Sequence, residues 1–230
     1  MIDALGERKV RWVASNQAIN APLVGLDVRP GERIGAVTGT GDILFNLIVA
    51  GALVESADSD PEQTAYVRRK RENVVADDQE SFLYEGITES KYSTQGQIRR
   101  RHSHFSDPNI WQRLRQNIGN LRDPELADIG DFLSTRNFDK AFLSNAPGWG
   151  YTGETESGML NGRIDCNRIF DACAQSLPQG GLAYRVRFAR QWFLGTTYEN
   201  FESVPSLAQK AAVMEEKIGG MWIPEVYRRI

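Results

Sequence analysis

Short apolar runs alternate with glycine turns and longer helical patterns along this 230-residue chain. The run 34–37 is too short for a helix and is predicted to be a buried strand. An apolar segment at 43–50 ends before Gly51, which is typical of the residue that follows a helix. A second short strand is predicted at 53–57. The first sixty residues therefore predict a strand, a turn, a helix and a second strand.

The alternation of strands and helices continues to the C-terminus. A helix is predicted from Pro61 to Val75 because Asp60 and Gln63 stand where N-cap and capping-box residues belong. The other predicted elements are a short strand running into a loop at 126–133, strands at 138–144 and 182–188, helices at 164–177 and 206–217, and a final edge strand at 221–230. This order favours an α/β fold with a mostly parallel sheet covered on both faces.

Two segments stand outside this alternation. Residues 1–28 are a mixed N-terminal covering segment, which either lies over a ligand cleft or only covers a sheet edge. Residues 76–125 are the least regular part and are longer than a connection in an α/β sandwich needs. Because such long inserted segments often carry functional residues, we predict a lid or acceptor segment here. The length and apolar content predict one domain over residues 1–230.

Composition limits the class of partner. The net charge is −3, from 27 basic and 30 acidic residues, so there is no overall attraction to nucleic acid or anionic membranes. No apolar run approaches the ~20 residues that span a bilayer. The two cysteines, Cys166 and Cys173, are expected to be reduced core thiols, and no signal peptide is apparent, so a cytoplasmic location is predicted. These features favour a small-molecule substrate, with no membrane and with nucleic acid as a less favoured partner.

Two basic patterns have simple structural interpretations. Residues 68–71 are four consecutive cations on a predicted helix, where most of them must be solvated. His102 and His104 lack a third Cys, His or acid at a recognisable spacing, so no metal site is predicted.

The turn after the first strand carries the main candidate chemistry. Gly39 and Gly41 let the backbone turn sharply and approach a ligand closely. Asp58 follows the second strand, where a carboxylate can accept hydrogen bonds from ribose hydroxyls. The third glycine of a dinucleotide fingerprint is absent, which favours a nucleoside ligand without phosphates, such as S-adenosylmethionine (SAM). The alternative is a turn that binds nothing, and Asp42 is expected either to cap the helix or to contact ligand.

Three motifs resemble one enzyme group. Residues 37–44 with 57–63, the Asp-Ile-x-x-Phe-Leu pattern that begins at Asp128, and the Gly-Gly-x-x-x-Arg pattern that ends at Arg185 resemble the SAM-dependent 3-amino-3-carboxypropyl transferases of the betaine-lipid type. The resemblance implies the Rossmann-like sandwich of class I SAM-dependent methyltransferases. With the strand-end argument it assigns SAM binding to Thr38, Gly39, Thr40, Gly41, Asp58, Ser59, Gln63, Asp128, Ile129, Ser144 and Asn145.

The loop after the fourth predicted strand, residues 145–151, is expected to face the reacting carbon. Asn145 offers an amide donor and a carbonyl acceptor, and Trp149 can present its ring to the sulfonium cation. Tyr184 is a candidate to receive the proton of the reacting amine. This loop also weakly resembles the Asn-Pro-Pro-Tyr type of motif of amino-directed methyltransferases. The alternative is an ordinary turn with packed aromatic side chains.

The sulfonium of SAM activates three carbons, so the reaction depends on which carbon meets a nucleophile. The resemblance favours attack on the γ carbon of the methionine chain, which releases 5′-methylthioadenosine. Small enzymes similar to this group close that chain into azetidine-2-carboxylate, and transfer to a small amine is the nearest variant. A small-molecule methyltransferase is the first alternative. A non-catalytic SAM- or RNA-binding protein that uses residues 99–115 is the second.

Overall fold

The computed structural model describes residues 13–15, 17–87, 93–146, 156–188, 197–218 and 222–230. Within them, seven strands form one sheet in the order β3-β2-β1-β4-β5-β7-β6. The strands are β1 (Arg33–Val37), β2 (Leu53–Asp58), β3 (Glu125–Leu126), β4 (Lys140–Ser144), β5 (Leu182–Phe188), β6 (Phe201–Ser203) and β7 (Trp222–Arg229). The first five run parallel, and β7 is antiparallel to both β5 and β6. The predicted α/β fold with a parallel-rich sheet is confirmed.

The α-helices in the described residues are α1 (Ala21–Gly25), α2 (Asp42–Val49), α3 (Pro61–Val75), α4 (Gln79–Tyr84), α5 (Gln95–Phe105), α6 (Pro108–Asn117), α7 (Ile129–Ser134), α8 (Glu156–Ser176) and α9 (Pro205–Glu216). Helices α2 to α8 connect the parallel strands, as crossover connections require. N-cap side chains determine where several of these helices begin. Asp60 accepts a hydrogen bond from the Glu62 amide at α3, and Thr94 forms a capping box with Gln97 at α5.

The core lies on both faces of the sheet. Successive strand residues point to opposite faces, so Phe142 joins one apolar cluster while its neighbours Ala141 and Leu143 join the other. The first cluster holds the buried side chains of α2, and the second holds Phe132 of α7 with Phe170 of α8. All eight residues of α2 are buried, which explains why its sequence is apolar except at Asp42 and Asn46.

Three predicted elements were placed wrongly. The strand predicted at 126–133 ends at Leu126, because the Asp128 carboxylate accepts the Gly130 and Asp131 amides and starts α7. The last strand is not an edge strand, since β7 lies between β5 and β6. The helix predicted from residue 164 begins earlier, at Glu156. Cys166 and Cys173 lie buried on that helix and are not bridged.

The segment 76–125 is more regular than its sequence suggested. It contains α4, α5 and α6. Five of their side chains are buried in the same cluster as α2: Phe82, Leu83, Phe105, Trp111 and Leu114. Phe82 packs edge-to-face against both Phe45 and Phe105, and Trp111 lies beside it. The segment therefore contributes to the core, and its role as a lid or acceptor segment stays a prediction. None of the helices in the described ranges has the length and apolar character needed to cross a bilayer.

Candidate functional site

Two adjoining cavities lie at the carboxyl ends of β1, β2 and β4. The larger has a volume of about 420 Å³ and the smaller of about 90 Å³. Both are lined by Val37, Gly39, Ser144 and Asn145, so they meet between the glycine turn and the end of β4. Parallel strands end at one edge of the sheet, and ligands of open α/β sheets bind at this edge.

Asp58 lies in the larger cavity and is held by backbone amides. Its two carboxylate oxygens accept hydrogen bonds from the Gly39 amide at 3.1 Å and from the Asp60 amide at 3.0 Å. Gly39 and Gly41 have φ values of 48° and 78°, the left-handed region that favours glycine. A Cβ on Gly41 would come within 2.9 Å of Val67. The glycine turn and Asp58 are therefore one preorganised unit.

The larger cavity is also lined by an ion pair between Asp128 and Arg168. Both carboxylate oxygens of Asp128 contact the Arg168 guanidinium, at 2.6 and 3.0 Å. These hydrogen bonds hold the pKa of Asp128 below its ordinary value. Arg168 and Asp165 also line this cavity and were missed, because their position on α8 shows no motif. The predicted residues Ser59, Gln63 and Ile129 line the same cavity.

The smaller cavity combines apolar walls with uncharged polar groups. Ile43 and Phe142 line it together with Thr38 and Thr40 of the glycine turn. Among the described residues that line it, none is charged. It therefore suits a short chain with a few hydrogen-bonding groups.

Ser144 connects this cavity to the end of β4. Its φ is 51°, a left-handed value that is unfavourable for a residue with a side chain. The hydroxyl accepts a hydrogen bond from Gln17 Nε2 at 2.5 Å and donates to Asn145 Oδ1 at 3.3 Å. Such backbone strain is found mainly at functional sites. The structure thus places the two predicted residues Ser144 and Asn145 where the two cavities meet, and it joins them to Gln17.

Another wall of the site comes from residues 13–15 and 17–20, which we call the strap. Ala14, Ser15 and Gln17 line the smaller cavity, so the described part of the N-terminal segment lies over the cleft. Side chains from elsewhere in the chain bind its backbone. Ser93 Oγ accepts from the amides of residues 13 and 14 at 3.0 and 3.2 Å, and Glu215 Oε1 accepts from the Ala18 amide at 3.0 Å.

A buried ion pair anchors the middle of the strap. Asp42 Oδ2 accepts the Ser15 amide at 2.8 Å, and Asp42 Oδ1 accepts from Lys70 Nζ at 2.6 Å. Both side chains of the pair are fully buried. Burial lowers the pKa of Lys70 to about 8, although Asp42 opposes the shift. Asp42 is thus neither a side-chain cap nor a residue that lines either cavity: it holds the strap.

Lys70 is an exception to the prediction that residues 68–71 are mostly solvated. Its ammonium lies 4.6 Å from the ring centre of Phe82 and 5.1 Å from that of Phe45. The sequence contained a signal for this position. Lys70 follows Tyr66 by four residues and precedes Val74 by four, so it shares their buried helix face.

The other predicted catalytic residues have different outcomes. Tyr184 is buried on β5, stacks near Phe142 and lines neither cavity. Burial raises the pKa of its hydroxyl well above the ordinary value, so this group stays protonated and is a poor proton acceptor. Trp149 lies outside the described residues. His102 and His104 lie on α5, bonded to the Leu83 carbonyl and the Asn46 side chain.

Comparison with known proteins gives a fold but no family. No protein-family model matches the chain, and no curated protein matches it. TrmN from Thermus thermophilus superposes with a TM-score of 0.53 at 16% identity, covering 92% of this chain and 48% of that one. This chain therefore spans about half the length of TrmN. SMU.1697c from Streptococcus mutans, a candidate methyltransferase in complex with SAH, superposes with a TM-score of 0.50 at 10% identity. The superposition covers 93% of this chain and 98% of that one.

The chain has the class I SAM-dependent methyltransferase fold. The fold that the sequence motifs implied is confirmed. At these identities the likeness shows the fold alone, so ligand and reaction are argued from the site.

Proposed function

We propose that the two joined cavities bind SAM. The observation that carries the proposal is the pairing of a larger cavity beside Asp58 with a smaller uncharged cavity under the strap. The nucleoside occupies the larger cavity, where Asp58 accepts hydrogen bonds from the ribose. The methionine chain occupies the smaller one. The sulfonium then lies near Ser144 and Asn145, which line both.

We infer that the reaction is attack on the γ carbon of the methionine chain, with release of 5′-methylthioadenosine. The motif resemblance supports this choice, and so does the small size of the cavity beneath the strap. The attacking group is the neutral α-amine of SAM itself. A bond forms between nitrogen and the γ carbon, and the bond from that carbon to sulfur breaks. The electron pair goes to sulfur, and the positive charge moves to the nitrogen of the four-membered ring.

In this reaction the protein contributes position and exclusion of water. Holding an amine against a carbon of the same molecule removes the cost of gathering two reactants. The apolar side chains of Ile43 and Phe142 limit access of water, which would otherwise compete as a nucleophile. Tyr184 has no part in this proposal, because it lines neither cavity. The role of Trp149 beside the sulfonium remains a prediction.

The products decide the reaction. Purified protein given SAM alone is expected to form 5′-methylthioadenosine and azetidine-2-carboxylate in equal amounts, measured by mass spectrometry. An incubation without protein controls for spontaneous breakdown of SAM, so the imino acid is the decisive product. Formation of methylthioadenosine only with an added amine would indicate intermolecular transfer.

Methyl transfer is the second candidate function. The fold shared with SMU.1697c in complex with SAH favours it. S-adenosylhomocysteine as the product would establish this candidate and refute γ-carbon attack. An acceptor of small size fits the net charge of −3 better than RNA does.

A further inference from the structure

Gln17 of the strap is a buried side chain whose hydrogen-bonding capacity is only partly used. The residue is 4% exposed and lines the smaller cavity. Its Nε2 donates to Ser144 Oγ, while its Oε1 is buried and, among the described residues, has no hydrogen-bond partner. A buried polar atom without a partner is unfavourable, so an orphaned acceptor beside a cavity indicates a missing donor.

The orientation of this amide follows from its neighbours. The Ser144 hydroxyl donates to Asn145 Oδ1 and accepts from Gln17 Nε2. Gln17 therefore presents its NH₂ group to Ser144 and keeps its carbonyl oxygen for another donor. An amide oxygen attracts N–H and O–H groups and repels a carboxylate.

The backbone around Gln17 is fixed before any ligand arrives. The Ser15 hydroxyl accepts from the Gln17 amide at 3.1 Å, and the Ser15 amide is bound by Asp42. On the other side, the Ala18 amide is bound by Glu215. Because the backbone is held on both sides of Gln17, the residue loses little further freedom on binding. Its hydrogen bond therefore discriminates well between ligands.

We propose that Gln17 positions the α-amino nitrogen of the bound methionine chain, with Oε1 accepting a hydrogen bond from that nitrogen. This inference rests on the proposed function, since it assumes a SAM-type ligand in the two cavities. Within γ-carbon attack, an N–H of the neutral amine is held by Gln17 while the lone pair points at the γ carbon. Gln17 is a positioning residue in this scheme, because it takes no proton.

The test combines two ligand changes with one side-chain change. The probes are S-adenosylhomocysteine, its analogue in which hydrogen replaces the amino group, and 5′-methylthioadenosine, which lacks the amino acid chain. Gln17→Met keeps the length of the side chain and removes its polar atoms. We expect it to weaken S-adenosylhomocysteine binding by about ten- to a hundredfold in calorimetry and to leave the other two affinities within about threefold.

Gln63→Met is the matched control, since it makes the same change in the larger cavity. It should leave the ratio of the affinities for S-adenosylhomocysteine and its deamino analogue as in the wild type. Gln17→Glu retains an acceptor oxygen. Its preference for S-adenosylhomocysteine over the deamino analogue should therefore equal or exceed that of the wild type. If Gln17→Met does not fold, the ratio in Gln17→Glu decides alone, and a ratio near one overturns the inference.

Failure of this inference differs from failure of the proposed function. If the wild-type protein binds none of the three probes, the proposed function is refuted. If it binds them but Gln17→Met weakens S-adenosylhomocysteine and the deamino analogue equally, Gln17 only shapes the cavity and the inference is overturned. A turnover assay adds a second readout, in which Gln17→Met should raise the KM for SAM and also lower kcat for 5′-methylthioadenosine release, because the amine is no longer held against the γ carbon.

Discussion

At the residue scale, Asp58 links sequence, geometry and expected binding most directly. Its carboxylate is held by the amides of Gly39 and Asp60 at the end of β2. We expect Asp58→Asn to weaken S-adenosylhomocysteine binding by about 1.5–3 kcal/mol, the usual range for hydrogen bonds to a charged group. Calorimetry measures this change. Asp123→Asn, at an exposed carboxylate, is the control, and unchanged affinity in Asp58→Asn would refute the ribose assignment.

The buried pair of Asp42 and Lys70 has a second prediction at this scale. Lys70→Met leaves the Asp42 carboxylate buried without a counter-charge, which typically costs about 3–5 kcal/mol. Urea unfolding should show this loss, and adding Asp42→Asn should recover much of it. Arg69→Met is the control, because its ion pair with Glu85 is partly exposed and should contribute no more than about 1 kcal/mol. A Lys70→Met protein as stable as the control would contradict the anchoring role.

At the element scale, the strap explains why the two cavities differ. It lines the smaller cavity and none of the larger one. Its contacts come from Asp42 of α2, Arg101 of α5, Glu215 of α9 and Ser93, which lies two residues before α5. Several elements must therefore be in place before the smaller cavity forms. Within residues 76–125, Arg101 of α5 and Ser93 thus support the site by holding the start of the strap.

Proline at position 15 tests the strap as an element. Ser15→Pro removes the N–H that donates to Asp42. We expect it to reduce affinity for S-adenosylhomocysteine about tenfold or more and affinity for 5′-methylthioadenosine much less, because only the former needs the smaller cavity. Ser15→Ala keeps the N–H and should have the smaller effect. Equal losses for both ligands by calorimetry would show that the strap does not act selectively.

At the scale of the whole molecule, stability should depend on pH through Glu215. Burial raises the pKa of this carboxyl to about 7, although the Ala18 amide and Arg100 oppose the shift. The unfolded chain loses this proton near pH 4.5 and the folded chain near pH 7. The free energy of unfolding therefore falls as pH rises through this window, by at most about 3 kcal/mol from this group.

Glu215→Gln should remove this dependence. The stability of the variant relative to the wild type is expected to increase between pH 4.5 and 7 and to stay constant above that range. Urea unfolding at pH 4.5, 6 and 7.5 measures the difference. Glu216→Gln, on the exposed side of α9, is the matched control. A wild-type-minus-variant difference that does not change with pH would contradict the buried, protonated state.

The sequence by itself determined the elements whose signals are local. The strand at 182–188 and the helix at 61–75 have the predicted bounds, because strand periodicity and N-cap chemistry act between neighbouring residues. The glycine turn and Asp58 were predictable for the same reason, since a short connection brings them to one sheet edge. The prediction at 126–133 was wrong after Leu126, where the N-cap at Asp128 starts a helix in place of the predicted loop.

Only the tertiary structure decided how distant polar residues pair. Gln17 meets Ser144 across 127 positions, and Asp42 meets Lys70 across 28. Such contacts depend on which helix packs over which strand end, and no local periodicity records that. Tyr184 illustrates the same limit: its strand was predictable, but its side chain is buried beside Gly25 and Phe142 and lines neither cavity. The strap, and with it the smaller cavity, exists only because the packed chain supplies partners for its backbone amides.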